Sequence, residues 1–288
     1  MNIAAPRRQE RTAHPIAHGG LAAATVLVAL TWAPALCEAQ TLDNDYWISA
    51  QGYYPSVDTN VRVSSKTAET IGTDIDFEKD LDLDKRDVLP AVSAGARFGH
   101  VLVGFDFFKL KRSGSIALQR DITFDDTVYP ASAQLDSSFD SDIYRLTVGY
   151  AFVQQDNLEL GAAIGLHATR FNLALSGEVN VGEGSVQAEQ RRKDFLAPIP
   201  TVGLFGTYRI APRLEASARI DYLSLKIDQY DGRLINAQAG VNYSILKNLS
   251  LGVAYRYVDY RVGIDKDAWS GRVRYKLNGP AVVLQASF

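Results

Sequence analysis

Cysteine, methionine and histidine are nearly missing from this 288-residue chain, which has one Cys, one Met and four His. A single thiol cannot form an internal disulfide, so no such bridge holds the fold. Basic and acidic residues number 30 and 33, for a formal charge of −3. That balance provides no basic stripe for a polyanion, and nucleic acid is excluded as a partner. Long apolar runs are missing too. Beyond Leu36 nothing approaches the ~20 residues a membrane-spanning helix needs. A chain of this kind enters a bilayer only as a closed sheet, which leaves no backbone group unpaired in lipid.

The one apolar run that exists reads as an address. Arg7, Arg8 and Arg11 precede Leu21 to Leu36, and Cys37-Glu38-Ala39 places small residues at −3 and −1 before Gln40. A basic region, an apolar region and such a cleavage site describe a secretory signal peptide over 1–39. As a spanning helix the run is too short and is interrupted by Pro34. Arg7-Arg8 is not followed by the apolar positions of twin-arginine export, and Leu36 is too large for a lipoprotein signal at Cys37. Cleavage after Ala39 leaves one domain, 40–288, with no cysteine. Without Arg7, Arg8, Arg11, Glu10 and Glu38, 27 basic and 31 acidic residues remain, a net −4.

Aromatic residues are plentiful, with 14 Tyr, 12 Phe and 3 Trp. From Tyr46 onward the dominant signal has period two. Tyr46, Ile48, Ala50, Gly52 and Tyr54 alternate with Trp47, Ser49, Gln51 and Tyr53. The same alternation recurs over 88–98, 101–107, 144–152, 158–167, 201–209, 214–222, 235–245 and 249–257, before a last strand after Trp269. Short connections fall at Gly99-His100, Gln154–Asp156, Ala211-Pro212 and Lys247-Asn248. Long ones are expected at Pro55–Arg86, Arg112–Ser141 and Leu173–Asp194, with smaller ones near Asp228–Gly232 and Asp265–Gly271. The pattern predicts an all-β fold, a transmembrane antiparallel up-and-down β-barrel of about 10 strands (8 or 12 are the adjacent even counts). It would carry short periplasmic turns and long extracellular loops.

Soluble sandwiches and lipocalin-like barrels alternate as well, with the apolar face inward. Here the polar face is rich in Gly, Ala, Ser and Thr, which fit a narrow lumen. Aromatics gather near strand ends (Tyr46, Tyr54, Phe98, Phe152, Tyr208, Tyr257), as membrane girdles do. Ile235, Ala239, Val241, Leu251 and Val253 are therefore expected to face lipid, and Asn236, Gln238, Asn242 and Arg256 the interior.

The last ten residues, Gly279 to Phe288, set Val282, Leu284, Ala286 and Phe288 on one face, with Gln285 and Ser287 between them. A terminal Phe after apolar residues at every second position resembles the carboxyl-terminal insertion signal of Gram-negative outer-membrane β-barrel proteins. By pattern, the whole of 40–288 resembles their outer-membrane-protein-A-like and porin-like group. The stretch Ile75-Asp76-Phe77-Glu78, followed by Asp80-Leu81, is similar to an uncharacterised branch of these barrels. The resemblance implies residence in the cell outer membrane, contact with outer-membrane lipids and lipopolysaccharide, and recognition by the insertion machinery during assembly. It implies no cofactor.

The lumen face collects Arg97, Asp106, Arg145, Glu159, His167, Arg209, Glu215, Arg219, Asp221 and Arg256. In a barrel of about ten strands these are expected to pair across and fill the interior, since an aqueous channel takes roughly sixteen. In the first long loop Asp74, Asp76, Glu78, Asp80, Asp82 and Asp84 recur at every second position. Extended, the loop would put six carboxylates on one edge and Ile75, Phe77, Leu81 and Leu83 on the other. Six carboxylates make a weak candidate for a divalent cation, without the glycine-centred spacing of an EF-hand. The simpler expectation is a solvated extension of the first hairpin, with its apolar edge over the barrel mouth.

Catalysis on small barrels uses a Ser with a His in phospholipases and lipid A deacylases, and Asp pairs with an Asp–His couple in omptin-type proteases. Here His100 falls in a periplasmic turn, and His167 has no adjacent Asp and no serine nearby. The expected function is structural or surface-interacting and not enzymatic. A narrow passive channel for small solutes or ions is the second reading, and a lipid-acting enzyme the third.

Overall fold

The computed structural model describes residues 42–67, 69, 71–124, 127–181, 184–227 and 229–288, with backbone alone at 127, 178–181, 184–197, 225, 227 and 230. The signal-peptide segment, 1–39, lies outside the described residues. In chain order come β1 (Tyr46–Tyr53), β2 (Ser56–Ser65), β3 (Ile75–Asp76), α1 (Phe77–Asp80), β4 (Leu89–Phe98) and β5 (Val101–Ala117). A small hairpin follows, β6 (Ile122–Phe124) with β7 (Thr127–Tyr129). The rest of the wall is β8 (Gln134–Gln155), β9 (Leu158–Val181), β10 (Gly184–Ala211), β11 (Leu214–Ile227), β12 (Tyr230–Leu246), β13 (Leu249–Asp265) and β14 (Trp269–Ser287).

The main sheet runs β1-β4-β5-β8-β9-β10-β11-β12-β13-β14, all antiparallel, and β1 pairs back onto β14. That is a closed ring of ten. The first strand is bent rather than ended at Tyr54-Pro55: β1 pairs with β14 from Trp47↔Ser287 to Tyr53↔Ala281, and β2 continues up the same strand from Ser56↔Asn278 to Ser65↔Trp269. Pro55 has no N–H to give a ladder, and it sits at the break.

Polarity on the outer surface divides the barrel into two zones. On β8 the outward positions Tyr144, Leu146, Val148, Tyr150 and Phe152 are all exposed and apolar. Their extent matches the roughly 9–11 residues a tilted strand needs to cross a bilayer. Aromatic contacts mark both edges, with Phe107 against Tyr144 at 5.1 Å above and Tyr46 against Phe98 at 6.5 Å below. Ile235, Ala239, Val241, Leu251 and Val253 lie on this outward face, and Asn236, Gln238, Asn242 and Arg256 on the inward one, as expected. The short turns at Gly99-His100, 156–157, 212–213 and 247–248 share one end, the periplasmic end by the rule for such barrels.

The three long connections need correction. The ends of Pro55–Arg86 and Arg112–Ser141 and nearly all of Leu173–Asp194 are wall: β2 extends to Ser65, β5 and β8 stay paired to Ala117↔Gln134, and β9 and β10 to Val181↔Gly184. The alternation does not stop above the membrane; it inverts. Outward on β8 come Asp142, Asp140, Ser138 and Asp136, while Ile143, Phe139 and Leu135 point into the barrel and are buried. The strands thus leave lipid and continue as a soluble-type tower with an apolar core and a polar coat.

The two zones make a direct test on one strand. Val148→Arg should impair insertion by about 2–4 kcal/mol, as a charge on the lipid face does near the midplane. Ser138→Arg, on the same face ten residues higher, should stay within about 0.5 kcal/mol. Unfolding of barrel refolded into lipid vesicles measures both, and equal costs would refute the zoning.

Candidate functional site: a polar lumen beneath an apolar plug

In the membrane zone the inward side chains form one connected network. Arg145 on β8 lies between two carboxylates, 2.6 Å from Asp106 on β5 and 3.0 Å from Asp221 on β11. Asp221 also accepts from Arg219 at 2.8 Å and from the Asn236 amide at 3.1 Å. Ser93 donates to Asp106 at 2.8 Å, and Arg219 to the Thr147 hydroxyl at 2.9 Å. Arg97 and Glu159 form a second buried pair, 2.7 Å apart, nearer the periplasm. A cavity of about 210 Å³ remains among these groups, lined by Arg97, Asp106, Glu159, Glu215, Arg219 and Gln238 among others. Two aromatics narrow it further, Trp47 over Gly95 and Phe205 over Gly161, where any Cβ would strike the ring.

Arg256 on β13 closes the network from above. Its guanidinium donates to Gln51 at 3.1 Å and lies 4.7 Å from the Phe108 ring centre and 5.4 Å from that of Tyr53. Above it the interior is apolar. Phe77 of α1 stands edge-on to Phe139 at 5.3 Å, and Phe139, Phe171 and Tyr275 pack on one another at 5.7–5.8 Å. Tyr260 joins this cluster against Phe171 at 5.5 Å. Burial pushes the Tyr260 and Tyr275 phenols up in pKa, and Tyr275 shares a hydrogen bond with Ser141 at 3.1 Å.

The first loop supplies the plug, and it is not the extended acidic edge expected. Asp76 caps α1 by accepting from the Lys79 N–H at 3.1 Å, and Asp80 accepts from the Asp76 N–H at 2.9 Å. The chain then turns at Asp82 (φ 54°), a conformation Asp tolerates, and the Leu83 N–H returns to the Phe77 carbonyl. This fold drives Ile75, Phe77, Leu81 and Leu83 into the barrel, where all four are buried. Glu78 follows them inward. It meets Arg112 of β5 at 2.5 Å, its other oxygen accepts from the Thr59 N–H at 2.8 Å, and Arg112 also reaches the Thr59 hydroxyl and the Asp84 carbonyl. Both charged side chains of this latch are almost fully buried, at 3% and 1% exposure.

The six acids are thereby dispersed. Asp74 pairs with Arg62, Asp76 with Lys79, Glu78 with Arg112 and Asp80 with Arg120, while Asp82 and Asp84 are exposed. Among the described residues no group of three or more His, Cys, Asp or Glu could hold a metal. The β6–β7 hairpin locks over the plug through Thr73 and Thr123, with Ile122, Phe124 and Tyr129 buried beneath it.

The other candidates fall as follows. His167 is buried against Tyr260 at 6.1 Å, with neither ring nitrogen bonded within the described residues. His100 lies in a periplasmic turn, bonded to the Ala151 carbonyl and stacked on Tyr150. Arg209 meets Asp43 at 2.5 Å, and Glu215 is buried in the lumen. Val282, Leu284 and Phe288 face outward, with Ala286 on the same side, while the Phe288 backbone joins the closing ladder to Tyr46. The Glu78–Arg112 latch escaped sequence reasoning. Its one signal was helical: Phe77 and Leu81 are four apart, with a capping Asp76 before them.

A ten-stranded antiparallel ring with an apolar outer belt is an outer-membrane β-barrel. No family model and no curated protein matches the sequence. Among solved structures, the chain is similar to the outer membrane protease OmpT of Escherichia coli, with TM-score 0.52 and 13% identity over 86% of this chain and 98% of that one. The transport unit of the autotransporter AIDA-I of E. coli aligns with TM-score 0.40 and 9% identity over 89% and 94% of the two chains. The toluene transporter TbuX of Ralstonia pickettii aligns with 0.35 and 12% over 85% and 90%. At such identity the OmpT likeness is one of fold alone, and the looser two carry no argument.

Two measurements follow from the charges. Asp221→Ala would leave Arg219 without a carboxylate and Arg145 with Asp106 alone, and should cost about 3–5 kcal/mol in urea unfolding, as breaking a buried pair does. A cost below about 1 kcal/mol would mean that lumen water solvates these groups. The plug acids each have separate partners or open solvent, so millimolar calcium against chelator should barely move the unfolding temperature. A rise that vanishes in an Asp76→Asn, Asp80→Asn double variant would reveal a cation site after all.

Proposed function

We propose that this protein is a sealed, non-enzymatic barrel of the outer membrane that serves envelope structure and surface interaction through its extracellular tower. The observation that carries this reading is the latched plug: Glu78 pinned to Arg112 with Phe77, Leu81 and Leu83 buried in the barrel. A filled outer lumen disfavours passive conduction. Neither described histidine stands on the outer rim, which disfavours a His-dependent reaction at the cell surface. Export by a leader over 1–39, and reading of Val282, Leu284, Ala286 and Phe288 by the insertion machinery, belong to the same proposal.

Planar bilayers provide the test. The intact barrel should show no steady conductance, whereas a Phe77→Ala, Glu78→Ala double variant, with its plug unlatched, should show brief openings. Stable steps from the unaltered protein would establish a channel. Refolded protein should also leave lipid A and phospholipid acyl chains intact, and turnover of either would overturn the non-enzymatic assignment.

A further inference from the structure

Above the lipid belt the outer face is unevenly charged. The register sets Arg233 on β12 directly across from Arg261 on β13, and Arg261 across from Arg274 on β14. One step further from lipid, Arg62 on β2 stands opposite Arg272. One step nearer, the Lys276 ammonium lies 5.8 Å from the ring centre of Tyr257, with Asp259 and Asp58 across from it on the two neighbouring strands. All six basic positions are exposed or partly exposed. On the opposite side of the ring the coat sets Lys109 and Lys111 across from Asp142 and Asp140, and Asp142 across from Arg170, so opposite charges face one another there.

Like charges facing one another across strands repel. Asp259 pairs with Arg261 at 2.9 Å and Asp74 pairs with Arg62, but among the described residues no carboxylate meets Arg233, Arg272 or Arg274. A groove of about 750 Å³ runs over this face, lined by Arg62, Arg233, Arg261 and Arg272, with Asp231 and Asp265 as its acidic members. Its height selects the ligand. Arg261 follows Tyr257 of the girdle by four residues, about 10 Å along a tilted strand. A long arginine side chain from there reaches the headgroup layer.

We propose that this face binds the phosphate groups of a phosphorylated glycolipid in the outer leaflet, with the row Arg233, Arg261 and Arg274 as its clamp. Guanidinium groups take phosphate oxygens in pairs, and a bound dianion removes the repulsion that the bare row carries. A lipid fits better than a soluble anion because the row stands on the lipid-facing side of the wall, directly above the apolar belt.

The test titrates the full barrel, refolded in uncharged detergent, with bisphosphorylated lipid A, with lipid A stripped of phosphate, and with inorganic phosphate alone. Binding is read as a rise in unfolding temperature with ligand concentration. Bisphosphorylated lipid A should bind at least tenfold more tightly than either other ligand. An Arg233→Gln, Arg274→Gln double variant should unfold as the parent does without lipid and lose at least tenfold in affinity. Arg274→Gln alone provides the same comparison if the double variant does not fold. A Lys109→Gln, Lys111→Gln variant should bind normally. Equal binding of dephosphorylated lipid, equal binding of inorganic phosphate, or an equal loss in the lysine variant would each overturn the assignment.

Discussion

In hydrocarbon an unpaired peptide group costs several kcal/mol, so a sheet that crosses a membrane must find a partner for its first strand. Here that partner is β14, which carries β1 along its periplasmic half and β2 along its outer half. The bend at Tyr54-Pro55 falls where the two meet, and the Tyr54 N–H still reaches the Pro280 carbonyl at 2.9 Å. One strand therefore closes both the barrel in lipid and the tower in water. Everything enclosed is positioned by that shared ladder.

The two zones ask opposite things of the same strands. In lipid the outer face must be apolar, which leaves the small lumen to the polar residues. Those charges are buried, so they are tolerated only when interleaved, as Arg145 is between Asp106 and Asp221. In water the outer face turns polar and the interior reverts to an ordinary apolar core. Arg256 sits at the change of regime, bonded to Gln51 on one side and lying against Phe108 and Tyr53 on the other. A long side chain with an apolar stem and a charged head suits such a boundary.

This inversion explains what could be read from residues alone. Strand faces in the membrane zone were legible because period two with an apolar outer face is a local signal. Above the belt the period persists, but Asp136, Ser138, Asp140 and Asp142 occupy the face that had been apolar, so a wall resembles a loop. The acids from Asp74 to Asp84 misled in the other direction, since their even spacing imitates a strand edge while Asp76 and Asp80 are spent on capping a helical turn. Parity places Arg145, Asp106 and Asp221 in the lumen, but not in contact. Their separations of 39 and 76 residues are bridged only once the girth and stagger of the ring are fixed. Arg112 gave no sign of its role, because its partner Glu78 lies on a loop that folds back inside.

The energy that holds the plug limits how this barrel can behave. Withdrawing α1 would expose Phe77, Leu81 and Leu83, at roughly 1.5–3 kcal/mol each. It would also break a buried ion pair, which adds about 3–5 kcal/mol when one partner is left behind. Both costs, set against the chain entropy that a released plug would regain, favour the seated position. Opening would require a ligand that binds the withdrawn plug or the vacated lumen more tightly than the closed state by a comparable amount. The latch thus ties the plug to the wall at Arg112 and Thr59, so that the interior of the tower is packed while its polar coat stays exposed.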